Sequence, residues 1–95
     1  MDEITVTDNI KRLISYYYGR NAFVSLNDNY YNISIYYLNY KENLEDILPC
    51  IVDNSSGFYD YGTSDYYEHR ILISDLNIEI LTMDETEFIL WLKLQ

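Results

Sequence analysis

The sequence predicts one α+β domain spanning residues 1–95, in which an N-terminal helix packs on an antiparallel sheet of four to five strands with an acidic loop insertion. Three observations predict this class. An apolar stripe at helical spacing lies near the N-terminus, residues 30–40 are dense in β-branched and aromatic side chains, and residues 42–69 hold seven acids and no Lys or Arg. A hydrophobic content of 48% argues against a disordered chain, and 95 residues fit a single domain.

The first predicted element is an amphipathic helix over about residues 8–18, with Thr7 or Asp8 as its N-cap. Gly19 follows as the residue that ends the helix, since glycine tolerates the left-handed conformation common at that position. Five apolar residues recur at the i, i+3, i+4, i+7 and i+8 positions of one helical face: Ile10, Leu13, Ile14, Tyr17 and Tyr18.

A β-hairpin is predicted next. Residues 22–26 form its first strand, residues 27–29 (Asn-Asp-Asn) its turn, and residues 30–40 a long second strand. Alternation along the second strand gives one apolar face and one polar, tyrosine-bearing face. The apolar face is that of Tyr31, Ile33, Ile35 and Tyr37.

The middle of the chain combines a short predicted helix with the acidic loop. Residues 41–48 have apolar side chains at helical spacing, and the helix would end before Pro49. Residues 53–68, DNSSGFYDYGTSDYYE, contain four acids, four tyrosines, two of the three glycines and no base. This composition predicts an exposed loop rather than a long regular element.

Strands are predicted again over residues 67–74 and 78–82, from alternating apolar and polar side chains. The last segment has two interpretations. Thr82-x-x-Glu85 resembles a capping box and favours a terminal helix. A four-residue hairpin loop over residues 83–86 would instead lead into a strand over residues 88–94. The hairpin is favoured, because that run is apolar on every side and a surface helix rarely is.

The sequence contains no recognisable enzyme signature. The three glycines form no phosphate-binding loop, and no GxSxG sequence is present. His69 lies between Glu68 and Arg70, which is typical of a surface ion pair rather than a catalytic base, and Cys50 lies in an apolar run that predicts a buried thiol. Residues 53–57 offer oxygen donors but lack the spacing of a calcium loop. We expect no catalytic residue, no metal and no cofactor.

Charge is the strongest global feature. Sixteen acids and six bases give a net charge of −10, and residues 42–69 (the acidic segment hereafter) carry −7 of it. Such a field repels nucleic acid and anionic membranes and attracts basic protein surfaces. The N-terminus has no signal-peptide pattern and no apolar run reaches 18 residues, so a cytoplasmic location in a bacterial host cell is expected.

The candidate partner-binding surface combines acids with tyrosines. Carboxylates on one face of a strand recur every ~6.6 Å, about twice the ~3.4 Å spacing of phosphates along one DNA strand. Tyrosines between them would add binding energy, because Tyr is enriched at interface hot spots. The predicted site is Glu42, Glu45, Asp46, Asp53, Tyr59, Asp60, Tyr61, Asp65, Tyr66, Tyr67 and Glu68.

By its size, charge and tyrosine–acid texture, the chain resembles the acidic DNA-mimic inhibitors of phages, anti-CRISPR proteins among them. The resemblance implies an inhibitor whose acids occupy a nucleic-acid site on a CRISPR-type effector. Asp65-Tyr66-Tyr67-Glu68 is also similar to the tyrosine pair of immunity proteins that neutralise nuclease toxins, which leaves that function open. A small structural or assembly protein is a third alternative, and the tyrosine-rich face leaves a homodimer open.

Overall fold

A computed structural model describes residues 3–36, 59–62 and 66–95. Within them the helices and strands follow one another in the order α1 (Glu3–Tyr18), β1 (Ala22–Asn27), β2 (Tyr30–Tyr36), β3 (Tyr59–Gly62), β4 (Tyr66–Leu72), a 3₁₀ turn (Ile73–Asp75), α2 (Ile78–Leu81) and α3 (Glu85–Lys93).

Helix α1 buries Ile10, Leu13 and Ile14 of the predicted stripe but leaves Tyr17 39% exposed. It begins five residues earlier than predicted, so the predicted N-cap at residue 7 or 8 is wrong. The apolar stripe extends one turn further back, because Val6 lies four residues before Ile10 and both are fully buried. Gly19 ends the helix as predicted: it has a φ of +63°, and its N–H donates to the carbonyl of Ser15 at 3.0 Å.

Strands β1 and β2 form the predicted hairpin. Ala22 pairs with Ile35 and Asn27 with Tyr30 in antiparallel register, and Asp28 takes the positive φ of 50° that the tight turn requires. Tyr31, Ile33 and Ile35 are fully buried, so the apolar face of this strand is confirmed. Strand β2 is described as far as Tyr36; residues 37–40 and the predicted helix over 41–48 lie outside the described residues.

The described sheet has the order β1-β2-β4-β3, and every pairing in it is antiparallel. Part of the segment predicted as an acidic loop is therefore strand. Residues 59–62 form β3, and residues 66–68 begin β4. Tyrosine supplies the β propensity that the acids and glycines around it lack. The rest of the predicted loop, residues 53–58 and 63–65, lies outside the described residues.

The two strands predicted at the C-terminal end are wrong, because residues 78–81 and 85–93 are helical. In α3 the buried residues are Phe88 and Leu92, which lie four positions apart, and Leu90 between them is 57% exposed. The apolar run that favoured a hairpin is a helix that leaves several of its apolar side chains in solvent. Of the predicted hairpin loop over residues 83–86, residues 83 and 84 belong to the connection between α2 and α3, and residues 85 and 86 begin α3.

The core is shared by α1, one face of the sheet and the two C-terminal helices. The α+β class, with an N-terminal helix packed on an antiparallel sheet, is confirmed. The predicted count of four to five strands is not supported. Of the five predicted strands, three correspond to β1, β2 and β4, and the other two are helical. The buried hydrophobic residues are Val6, Ile10, Leu13, Ile14, Ala22, Tyr31, Ile33, Ile35, Ile71, Leu76, Leu81, Phe88 and Leu92.

Candidate functional site

Strands β3 and β4 bring together six of the eleven predicted partner-binding residues. Tyr61 lies opposite Glu68, and Gly62 lies opposite Tyr67. Tyr66 follows on β4 and pairs with Tyr36 of β2. Tyrosines and acids that are up to nine positions apart in sequence are thereby neighbours at one end of the sheet. The remaining predicted residues lie outside the described part of the chain: Glu42, Glu45, Asp46, Asp53 and Asp65.

The two faces of the sheet differ in chemistry. One face, called the core face here, carries the buried residues Ile33 and Ile71. The other, called the open face, carries Asn32, Ser34, Glu68 and Arg70, which alternate with the buried residues along β2 and β4 and are half-buried or exposed. Directly opposed residues of antiparallel strands share a face, so the register aligns positions from all four strands on the open face. One row is Phe23, Ser34, Glu68 and Tyr61, and the next is Ser25, Asn32, Arg70 and Tyr59.

Arg70 is the one Lys or Arg between residues 42 and 92, and its guanidinium interacts with residues of the same sheet. Its Nε lies 3.5 Å from Oε1 of Glu68, and its guanidinium carbon lies 5.2 Å from the centroid of the Tyr30 ring. The ring faces a cation, which is a favourable electrostatic arrangement. Glu68 and Arg70 together are neutral, so Glu68 adds less negative charge to the predicted surface than its sequence context implied.

His69 is not the surface residue that its charged neighbours predicted. It is fully buried in the middle of β4, between Ile33 of β2 and Asp60 of β3 in the register. A strand turns successive side chains to opposite faces, so Glu68 and Arg70 belong to the open face while His69 belongs to the core face.

The same register changes the interpretation of Asp60. In the register, position 60 is directly opposite the buried His69, whereas positions 59 and 61 are opposite Arg70 and Glu68. Acids of the predicted surface are therefore divided between two faces of the sheet. Sequence spacing alone could have suggested this, since Tyr59, Asp60 and Tyr61 alternate with period two once they are recognised as a strand.

Sequence reasoning missed Asn9, a buried polar side chain in the stripe of α1. Its Nδ2 donates to the carbonyls of Leu81 at 2.9 Å and Met83 at 2.8 Å, and its Oδ1 accepts from Nη1 of Arg12 at 2.7 Å. Asn9 therefore joins α1 to the segment between α2 and α3. Its position between Val6 and Ile10 in the stripe was the available signal.

An open groove of about 320 Å³ lies between α1 and α3. Its apolar lining comes from Tyr16, Ile89 and Leu92, and Arg12 and Lys93 place positive charge there. Among the residues that the structure describes, the lining of this groove holds neither a histidine nor a carboxylate.

Within residues 3–36, 59–62 and 66–95, no cluster of three or more His, Cys, Asp or Glu side chains is arranged to hold a metal ion. In the same part of the chain, none of the helices has the length and apolar character needed to cross a membrane.

Comparison of the chain with family models, curated proteins and solved structures found no match.

Proposed function

We propose that this protein is a non-enzymatic inhibitor that blocks a nucleic-acid-binding effector, of the CRISPR nuclease type, by presenting an acidic, tyrosine-rich surface to its basic channel. The observation that supports this most is the position of the acidic segment. Its tyrosines at positions 59, 61 and 66 belong to paired strands at the end of the sheet, whereas position 67 is opposite the buried Ile35. Residues on paired strands lose little conformational freedom on binding, so they suit recognition.

The distribution of charge favours a basic partner. Residues 1–41 hold four acids and four bases, whereas residues 42–69 hold seven acids and neither Lys nor Arg. A surface with this asymmetry steers association toward a cationic groove and makes the association rate depend steeply on salt. The inhibitor would need no cofactor, and it would act in the cytoplasm of a bacterial host.

Tyrosine supplies the second part of the proposed interaction. Arg side chains in a nucleic-acid channel can stack on tyrosine rings, and each ring buries a large area while losing few rotors. Tyr59 and Tyr61 share the open face with Arg70 and Glu68, by register. In this proposal the tyrosines supply contact area, and the acids at positions 42, 45, 46 and 53 supply charge.

A cleavage assay with a panel of purified CRISPR nuclease complexes tests the proposal. Inhibition of target-DNA cleavage should appear with at least one complex, weaken steeply between low and high salt, and be relieved by excess competitor DNA. A triple variant, Glu42→Gln, Glu45→Gln and Asp46→Asn, should lose at least about tenfold in potency, because rim charges govern association with a charged partner.

The matched control changes the same number of acids elsewhere. Glu3, Glu79 and Glu87 are exposed, and replacing all three with Gln gives the same net charge of −7. This control should keep nearly full potency. An equal loss of potency in both variants would mean that inhibition depends on net charge and not on the position of the acids. Absence of inhibition with every complex, combined with protection against a small nuclease toxin, would favour the immunity function instead.

A further inference from the structure

Among the described residues, β1 is an edge strand, and its sequence lacks the features that commonly protect such an edge. It is the terminal strand of the described sheet, and the backbone pairing described for it runs to β2. Natural edge strands are commonly blocked by Lys, Pro or an inward-pointing charge, because an open edge can pair with another chain. The sequence of β1, AFVSLN, contains none of these.

The residues that flank β1 make this edge complementary to itself. Arg20 precedes the strand and Asp28 follows it, each four positions from Val24, and both are exposed. In an antiparallel pair of two identical strands centred on Val24, Arg20 of each copy lies opposite Asp28 of the other. Asn21 then lies opposite Asn27.

We propose that β1 pairs antiparallel with β1 of a second copy, with the two-fold axis at Val24, so that two sheets join into one continuous sheet. A two-fold interface uses the same patch on both copies, which is what the Arg20 and Asp28 positions provide. On the open face, Phe23 of each copy lies opposite Ser25 of the other. Phe23 is 64% exposed in the single chain, so pairing removes apolar surface from water.

The distribution of acids permits this association despite the net charge of −10. Residues 1–41, which include β1, have no net charge. The acidic strand β3 is at the other end of the order β1-β2-β4-β3. In the paired sheet the two β3 strands are seven strand spacings apart, which is ~34 Å and several times the ~8 Å screening length at physiological salt.

Sedimentation equilibrium on the full chain and its charge variants tests the proposal. The wild-type protein should dimerise reversibly. Arg20→Asp and Asp28→Lys should each raise the dissociation constant about tenfold, because opposed like charges replace two symmetric ion pairs. The double variant, Arg20→Asp with Asp28→Lys, should return close to wild type. Any strain from a lysine at the positive φ of position 28 is shared by the single and double variants.

A second substitution tests the edge itself. Ser25→Lys places a charge in the middle of the exposed edge and should prevent dimerisation, whereas Ser74→Lys makes the same chemical change at an exposed site outside the sheet and should leave it intact. Circular dichroism confirms that each variant keeps its fold. A wild-type monomer at all accessible concentrations, a dimer indifferent to Ser25→Lys, or singles that weaken without recovery in the double would each overturn the proposal.

Discussion

At the residue scale, Asn9 is the side chain whose loss we expect to cost most stability for its size. Leucine has nearly the same shape but cannot hydrogen-bond, so Asn9→Leu leaves the carbonyls of Leu81 and Met83 without their buried donor. Leaving a buried acceptor without a donor costs about 1–3 kcal/mol, and the contact to Met83 is only part-buried, so we expect a loss of about 2–3 kcal/mol in the free energy of unfolding. Urea titration followed by circular dichroism measures it.

Asn27 provides the matched control for this prediction. Its amide also donates a hydrogen bond, to Oγ of Ser25 at 3.1 Å, but that contact is exposed to water. At a concentration where the protein is monomeric, Asn27→Leu should therefore change stability by no more than about 0.5 kcal/mol, as is usual for surface sites. If Asn9→Leu were as mild as the control, the three hydrogen bonds of Asn9 would not contribute as argued.

His69 shows why single residues were hard to place from sequence. Its neighbours Glu68 and Arg70 suggested an ion pair at the surface, but a strand separates neighbours onto opposite faces. The relevant partners are across the strands, at Ile33 and Asp60, and the register that creates them depends on contacts distant in sequence. Asn9 was overlooked because its carbonyl partners are more than 70 positions away.

At the scale of elements, α3 depends on a specific N-cap. Oδ1 of Asp84 accepts the N–H of Glu87 at 2.8 Å, which satisfies one of the first free donors of the helix. Asp84→Ala should cost about 1 kcal/mol, and Asp84→Ser should retain most of the stability. Thermal unfolding of both variants measures the difference. A loss of the same size in both would mean that the capping hydrogen bond is not the source of the effect.

The strength of the local sequence signals explains which elements could be predicted. Helix α1 and the β1–β2 hairpin carry strong local signals: a long apolar stripe ended by Gly19, and an Asn-Asp-Asn turn between alternating strands. Residues 88–94 are apolar at nearly every position, so neither the period of a strand nor that of a helix stands out in their pattern. The deciding signal was Asp84-x-x-Glu87, two residues beyond the Thr82-x-x-Glu85 pattern that was considered.

Strand β3 was predicted as loop, because its own sequence carries too weak a strand signal. Its four residues, YDYG, have no length on which a period can be judged, and they lie among residues typical of loops. Pairing with β4 makes them a strand, and that pairing is a tertiary effect. The composition of the acidic segment was readable from the sequence, while the alternation of positions 59–61 gains a structural meaning only once they are known to form a strand.

At the scale of the whole molecule, the net charge of −10 should make stability depend on ionic strength. The radius of gyration is 12.4 Å, so at 0.01 M salt, where the screening length is ~30 Å, most acids repel one another across the molecule. Folding brings these charges together, and screening reduces that cost. Raising NaCl from 0.01 to 0.15 M should therefore stabilise the fold by about 1 kcal/mol, or roughly 4–8 °C in the melting temperature.

The charge variants separate this effect from general salt effects. The variant with Glu3, Glu79 and Glu87 replaced by Gln carries −7 instead of −10, so its melting temperature should respond less to the same salt change. If both proteins gained equally, the stabilisation would come from salt acting on apolar surface rather than on charge repulsion. A smaller response in the less charged protein would show that the fold carries its acids at a cost, which a basic partner would relieve on binding.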